Sequence, residues 1–529
     1  MESSSNLSGG GLGSLPSSWL TAGFVAEAII IYLVSFPSGM TFSQFAFNDF
    51  GANLTAEHLI RHGYRPGVDF GLNRGLLSLL LAHAWFTFFG LKPISFLLAM
   101  PIFDVLIAWG FARFITRLKL SIAGIAVIFA AAPFAICGVW GDLAHPLDAA
   151  LLSHALAEHA AGKRGRALAL ATAALFALPA MGYIYGLLLL IFIFRELKRR
   201  EQLNFSRVLT TIAPAALTGI ALIGILTMAF GLPSVVAQMF PITGMRNFAI
   251  QHRGLFTGYD RGFLYSRNIR ITYYVGTVVT FWVCATLWLL VSGVRAGLSF
   301  WKSTVRTGLE INYEVVFCIA VMHLSFVIGF FDGTWTDAYM LIMAVGATSV
   351  WDWSSMTSVW VLVPIAVMGN ASMLVTSYRV LVHMDMRPET AGLWAPLDQQ
   401  REWTHVLQIV RGHRPVLVEN DGAADLLFPE FESPTNFSLI PGQVKVSELQ
   451  RKVQQLSRAE MAVTVNLPGL PSPEPLVLFP QLRNALEGCD LVWKGTFATV
   501  YRRKSTANPV DASVDNHVIV QSRIAAVRR

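Results

Sequence analysis

The sequence predicts a polytopic α-helical membrane protein of about 11 transmembrane helices followed by a C-terminal soluble α/β domain. Three observations carry this. Of 529 residues, 54% are hydrophobic and only 14% charged, and the mean hydropathy of +0.53 lies outside the soluble range. Apolar runs long enough, or nearly long enough, to cross a bilayer recur over the first 380 residues or so. From about Met384 those runs shrink and apolar and polar residues begin to alternate.

In chain order, residues 1–18 are Ser/Gly-rich and lack the basic region and small-residue cleavage site of a secretory signal. They read as a disordered cytoplasmic N-terminus, with the first apolar run retained as a helix. Long runs lie at about 19–37, 94–113, 119–139, 207–229, 273–294, 311–331 and 356–379, and shorter ones at 74–90, 147–161, 166–180, 182–196 and 337–352. Length does not decide the short runs, but the distribution of Lys and Arg does. Four basic clusters, Arg113/Arg117/Lys119, Lys163/Arg164/Arg166, Arg195/Lys198/Arg199/Arg200/Arg207 and Arg295/Lys302/Arg306, fall on one side only if 74–90 lies along the surface as a juxtamembrane helix. The runs 147–161, 166–180 and 182–196 then each cross, with Pro179 and Gly182 marking the break between the last two. Eleven crossings place the N-terminus inside and the C-terminus outside. The outer side receives a first loop 38–93, the turn Gly141 to Pro146, a second loop 231–272, and Asp332 to Asp337.

Residues 384–504 form the expected extracytoplasmic, periplasmic domain. Pro415 to Glu419, Met461 to Val465, and Leu491 to Trp493 with Thr496 to Arg502 read as strands, the last two a hairpin turning at Lys494-Gly495. Glu402 to Arg411 and Ser447 to Ser457 carry helical spacing, with Ser447 placed as an N-cap. The tail 505–529 reads as disordered.

Composition also excludes. The net charge of +7 comes from short clusters between apolar runs, as orientation signals do, and no basic stripe interleaves with aromatics, so nucleic acid is not an expected partner. Cys137, Cys284 and Cys318 sit in apolar runs and Cys489 stands alone, which gives neither a disulfide framework nor a metal spacing. No Gly-rich loop ending in Lys-Ser/Thr and no His-Glu-x-x-His helix appears.

The first outer loop concentrates acids, bases and glycines between two apolar blocks, from Asn48-Asp49 through Glu57, His58 and Arg61 to Asp69 and Asn73-Arg74-Gly75. Carboxylates at the edge of a bilayer are costly to desolvate and so mark a site. Asp49 suits a general base acting on a hydroxyl, with Glu57 or Asp69 assisting. Taken as an isolated residue, it better suits the N-cap of a helix over 51–62. Asp142 and His145 offer two ligands to a divalent ion, whose nature and need the sequence leaves open, yet they also suit a cap or turn before the helix at 147. Arg246, Arg253, Arg261, Arg267 and Arg270 crowd the second outer loop, on the side where arginine is scarce. Guanidinium forks suit a phosphate, while headgroup contact or internal pairing with Asp260 is the bland account. Asp104 and His323 are ionisable groups at membrane depth, either functional or paired inside the bundle. Trp335 fits an aromatic belt or a sugar-stacking platform.

A first apolar helix, an outer loop with an acidic residue, a short Ala-containing helix, Gly-Tyr-Arg-Pro-Gly-Val-Asp-Phe and an apolar stretch ending in Phe89-Gly90 together resemble the start of GT-C superfamily glycosyltransferases. The nearest are those of family 39, which includes protein O-mannosyltransferases and lipid A aminoarabinose transferases. The resemblance implies an inverting enzyme that takes sugar from a polyprenyl-phosphate donor to a lipid, glycan or protein acceptor on the outer face of a bacterial inner membrane. Asp49 is then the base and the loop arginines hold the donor phosphate. Where that family commonly carries Asp-Glu, this chain has Asn48-Asp49, and Leu72-Asn73-Arg74-Gly75 stands at its second element. Two other readings use the same residues: a lipid or glycolipid transporter, in which Asp104 and His323 couple to protons, and a catalytically degenerate scaffold of the same fold.

Overall fold

A computed structural model of the chain describes residues 17–71, 74–117, 141–199, 204–239, 362–419, 422–439, 444–465 and 475–504, with a few positions between 125 and 136. The expected crossings at 273–294, 311–331 and 337–352, most of 119–139, the turn Asp332 to Asp337, and the termini 1–16 and 505–529 lie outside these residues. So do Arg246, Arg253, Arg261, Arg267, Arg270, His323 and Trp335.

The described part of the first 383 residues is helical: α1 (Ser17–Gly39), α2 (Phe42–Phe47), α3 (Asp49–Arg61), α4 (Leu76–Phe89), α5 (Pro93–Ile115), α6 (Ala144–Ala160), α7 (Arg164–Ala177), α8 (Pro179–Arg199), α9 (Phe205–Phe230), α10 (Leu232–Met239) and α11 (Leu362–His383). Among the described residues α1, α5 and α9 are long and apolar enough to cross a membrane by length and composition. The chain therefore carries helices of the kind integral membrane proteins use. Helix α4, at 14 residues, is about 21 Å long, short of a hydrocarbon core of about 30 Å.

The break expected between 180 and 182 falls earlier, at Leu178. Pro179 opens α8, because the first helical position has no intrahelical partner for the N–H that proline lacks. Gly182 lies inside α8 and serves packing: a Cβ there would collide with Leu175 of α7, 2.6 Å from its backbone nitrogen.

Glu158 near the end of α6 pairs with Arg113 of α5 and, at 3.9 Å, with Lys163. Two of the basic clusters thus meet at one end of the bundle. Asp142 precedes α6 at its other end, about 24 Å away along a helix rise of 1.5 Å per residue.

The C-terminal part forms β1 (Asp385–Met386), β2 (Trp394–Ala395), α12 (Leu397–Val410), β3 (Val416–Val418), α13 (Ala424–Leu427), α14 (Val446–Arg458), β4 (Met461–Val465), α15 (Pro475–Leu478), α16 (Pro480–Ala485), β5 (Cys489–Lys494) and β6 (Ala498–Arg503). The main sheet runs β3-β4-β6-β5, with β3 and β4 parallel and the other pairs antiparallel. The hairpin closes by Gly495 N–H to Ala498 O at 2.8 Å, and a bulge between Leu491 and Trp493 shifts its register. Helix α14 starts one residue before Ser447, so Ser447 is not its cap. Glu448 instead folds back to accept the Lys445 N–H at 2.8 Å, as an acid at the third helical position can.

The two parts share one core. Phe24, Phe96 and Phe111 of the helical bundle are continuous, through Phe42, Phe45 and Phe47 of α2, with Trp403, Val463 and Val500 of the sheet domain. Trp403 is fully buried, stacked on Phe431 at 5.7 Å and met by Phe47 at 5.2 Å and Phe42 at 5.6 Å. Aromatic pairs in such geometry add about 0.5–1.5 kcal/mol each beyond area burial.

A charged cavity at one end of the bundle

Helix α3 builds the floor of the site. Asp49, Asn53 and Glu57 recur every four residues, so they line one face, about 6 Å apart along the axis. The N-cap is Asn48 and Asp49 is the first helical residue, so Asp49 does not cap this helix. Asp49 is exposed, at the end where the helix dipole favours negative charge. It lies over Gly141, whose Cβ would stand 3.8 Å from the Asp49 Oδ2.

Asn53 ties the face together. Its amide donates to Asp49 O at 2.8 Å and Gly141 O at 3.2 Å, while its Oδ1 accepts from Arg74 Nη1 at 2.8 Å. Arg74, only 6% exposed, also pairs through Nε with Asp142 Oδ2 at 3.0 Å. The other oxygen of Asp142 accepts Ala144 N–H at 2.8 Å and His145 N–H at 3.0 Å, so the residue starts α6 and holds Arg74 at once. Burial opposes the charge on Asp142, but the Arg74 guanidinium, with help from His145 and the two N–H groups, outweighs it and keeps the carboxyl below its usual range.

Glu57, 1% exposed, is claimed twice: by Arg61 Nε at 2.6 Å and His83 Nδ1 at 3.0 Å. Asn53, Glu57, Arg74 and Ser78 line a small cavity with Leu79, Leu143 and other apolar neighbours. Of the residues read as a site from the sequence, Glu57 and Arg74 line this cavity, Asp142 and His145 adjoin it beside Arg74 and Ala144, Asp49 is linked to it through Asn53, and Asn48 donates to Gln44 Oε1 at 3.2 Å.

Asp69 does not line it. Its carboxylate turns back on Arg65, accepting the backbone N–H at 2.8 Å and Nε at 3.1 Å, and that bond holds its carboxyl below the ordinary range. Asp69 closes a local turn, which its spacing from Arg65 explains. Asp104 is fully buried in α5. Among the described residues no group of three or more His, Cys, Asp or Glu is placed to hold a metal ion, and the second oxygen of Asp142 is committed to Arg74. Asn53 and Ser78 did not stand out in the sequence. Asn53 was findable as the residue midway between Asp49 and Glu57 on the expected helix.

Comparison of the chain with protein-family models, with curated proteins and with solved structures finds no match to any of them.

Proposed function

We propose that the chain is an inverting glycosyltransferase embedded in a bacterial inner membrane, moving a sugar from a polyprenyl-phosphate donor to an acceptor on the outer face. One observation carries the reading: an exposed carboxylate, Asp49, stands at the start of a helix whose same face continues into Asn53 and Glu57, beside the Arg74–Asp142 pair. In this scheme Asp49 takes the proton of the acceptor hydroxyl as its oxygen attacks the anomeric carbon. The bond to the donor phosphate breaks on the opposite face, and the phosphate leaves with its charge. Arg74 is committed to Asp142 and Asn53, so it shapes the cavity wall, and stabilisation of the leaving phosphate falls to other cations. The arginines at 246, 253, 261, 267 and 270 fit that need by charge and by their expected outer location.

The test is transfer of radiolabelled sugar from polyprenyl-phosphate donors by the purified full chain in detergent or nanodiscs. Asp49→Asn is expected to lower the rate by about 10²–10⁴-fold with folding unchanged. Transfer unaffected by that change would remove Asp49 as the base. Absence of transfer with every donor would favour the scaffold or transporter reading.

A further inference from the structure

We infer that the C-terminal domain is a built-in clamp on the first outer loop, in which Glu448 and Arg451 of α14 hold the backbone of residues 69–71 and thereby set where Arg74 stands in the cavity. Glu448 is fully buried. Its Oε2 accepts the Gly71 N–H at 2.7 Å, and its two oxygens also accept the N–H groups of Lys445 at 2.8 Å and Phe437 at 2.7 Å. One carboxyl therefore ties the outer loop to two segments of the sheet domain. Nearly one turn on, Arg451 donates through Nη2 to Asp69 O at 2.9 Å and through Nε to Thr435 O at 2.9 Å, with its guanidinium 4.8 Å from the centre of the Tyr64 ring.

Both routes lead to Arg74. Gly71 precedes it by three residues, so fixing Gly71 confines Arg74 to a reach of at most about 11 Å of chain. On its other side Gly75 N–H bonds Ala177 O at 2.9 Å, so Arg74 is slung between two anchors. Phe437, whose N–H is held by Glu448, packs its ring 5.9 Å from the Arg74 guanidinium. Glu448 and Arg451 of α14 are thus committed to the loop and act on the cavity through Asp69, Gly71 and Phe437. Glu448 and Arg451 are positioning residues. The inference goes beyond the proposed reaction and holds whatever chemistry the cavity performs.

Hydrogen exchange and phenylglyoxal modification of the full chain in nanodiscs, both mapped by mass spectrometry, test it without any activity assay. Arg451→Ala removes the anchor to Asp69 while leaving the Glu448 cap of α14 in place; Glu448→Ala removes the other anchor. In each variant, peptides covering 66–71 are expected to exchange about tenfold faster or more, the loss of one charge-assisted hydrogen bond. Arg74, shielded in the parent, becomes reactive to phenylglyoxal, and Arg451→Lys restores protection only in part because it lacks the fork. Strand β4 keeps its parent exchange. Residues 66–71 and Arg74 as protected in Arg451→Ala as in the parent would overturn the clamp. Faster exchange of β4 in step with the loop in both variants would overturn it too, because the two residues would then serve only their own domain's fold.

Discussion

At the scale of single residues, the cavity shows how pairing and burial set roles that charge alone leaves open. Asp49, Glu57 and Asp69 look alike in sequence, but one is exposed at a helix start, one is buried between Arg61 and His83, and one closes a surface turn. Glu57 is buried but its partners Arg61 and His83 reach solvent, so Glu57→Ala is expected to cost about 1–3 kcal/mol, the loss of hydrogen bonds to a charged group, read as a lowered unfolding midpoint, whereas Asp69→Ala costs no more than about 1 kcal/mol because its Arg65 pair is open to solvent. His58 gives a pH signature. Burial, with the neighbouring His62 and Arg61 charges, pushes its imidazole from 6.5 down to about 4. The unfolded chain thus takes up the proton first: the stability His58 contributes is present above pH 6.5 and is lost as pH falls toward about 4. His58→Gln should flatten the pH dependence of the unfolding midpoint in that window; an unchanged slope would show that His58 does not titrate there.

At the scale of elements, the segment 42–61 is held by close backbone approach as much as by side chains. Gly422 has φ +148°, and a Cβ there would collide with Ala46 O and stand 2.7 Å from Phe47 Cα. On the facing side a Cβ on Gly51 would stand 2.7 Å from Ala423 N. That closeness lets Ala423 N–H reach Phe45 O at 3.0 Å and Thr55 Oγ1 donate to Gly422 O at 2.5 Å. Gly51→Val is expected to cost about 1–3 kcal/mol or more by overpacking, and to raise exchange of both α3 and α13 amides together, since neither can move alone. Helix α2 was not evident as an element in the sequence, because six residues carry too short a pattern to separate from the end of α1. Its i, i+3 aromatic pair, Phe42 and Phe45, was the available signal.

At the scale of the whole molecule, the two ends of the bundle differ in charge. Glu158 gathers Arg113 and Lys163 at one end, while Asp49, Asp142 and the sheet domain occupy the other. If the basic end is cytoplasmic, as the positive-inside rule requires, a membrane-impermeant maleimide added to intact cells will label Asp398→Cys but not Lys163→Cys in a cysteine-free background. Labelling of both from outside would reverse or break the topology. The shared core makes the sheet domain part of the same folding unit as the bundle: Trp403 cannot be exposed without opening the packing of α2.

The strands at 416–418 and 461–465, the hairpin, and the long apolar helices α1, α5 and α9 were legible in the sequence to within a few residues, because apolar period and length follow from local side-chain chemistry alone. The segment that supplies Glu57 and Arg74 to the cavity was also noticeable, since charge next to apolar runs is rare. Which carboxylate stands exposed, which is buried in a pair and which closes a turn was decided only in three dimensions. Arg74 meets Asp142 across 68 positions and Gly71 meets Glu448 across 377, and no local pattern encodes a partner that far along the chain.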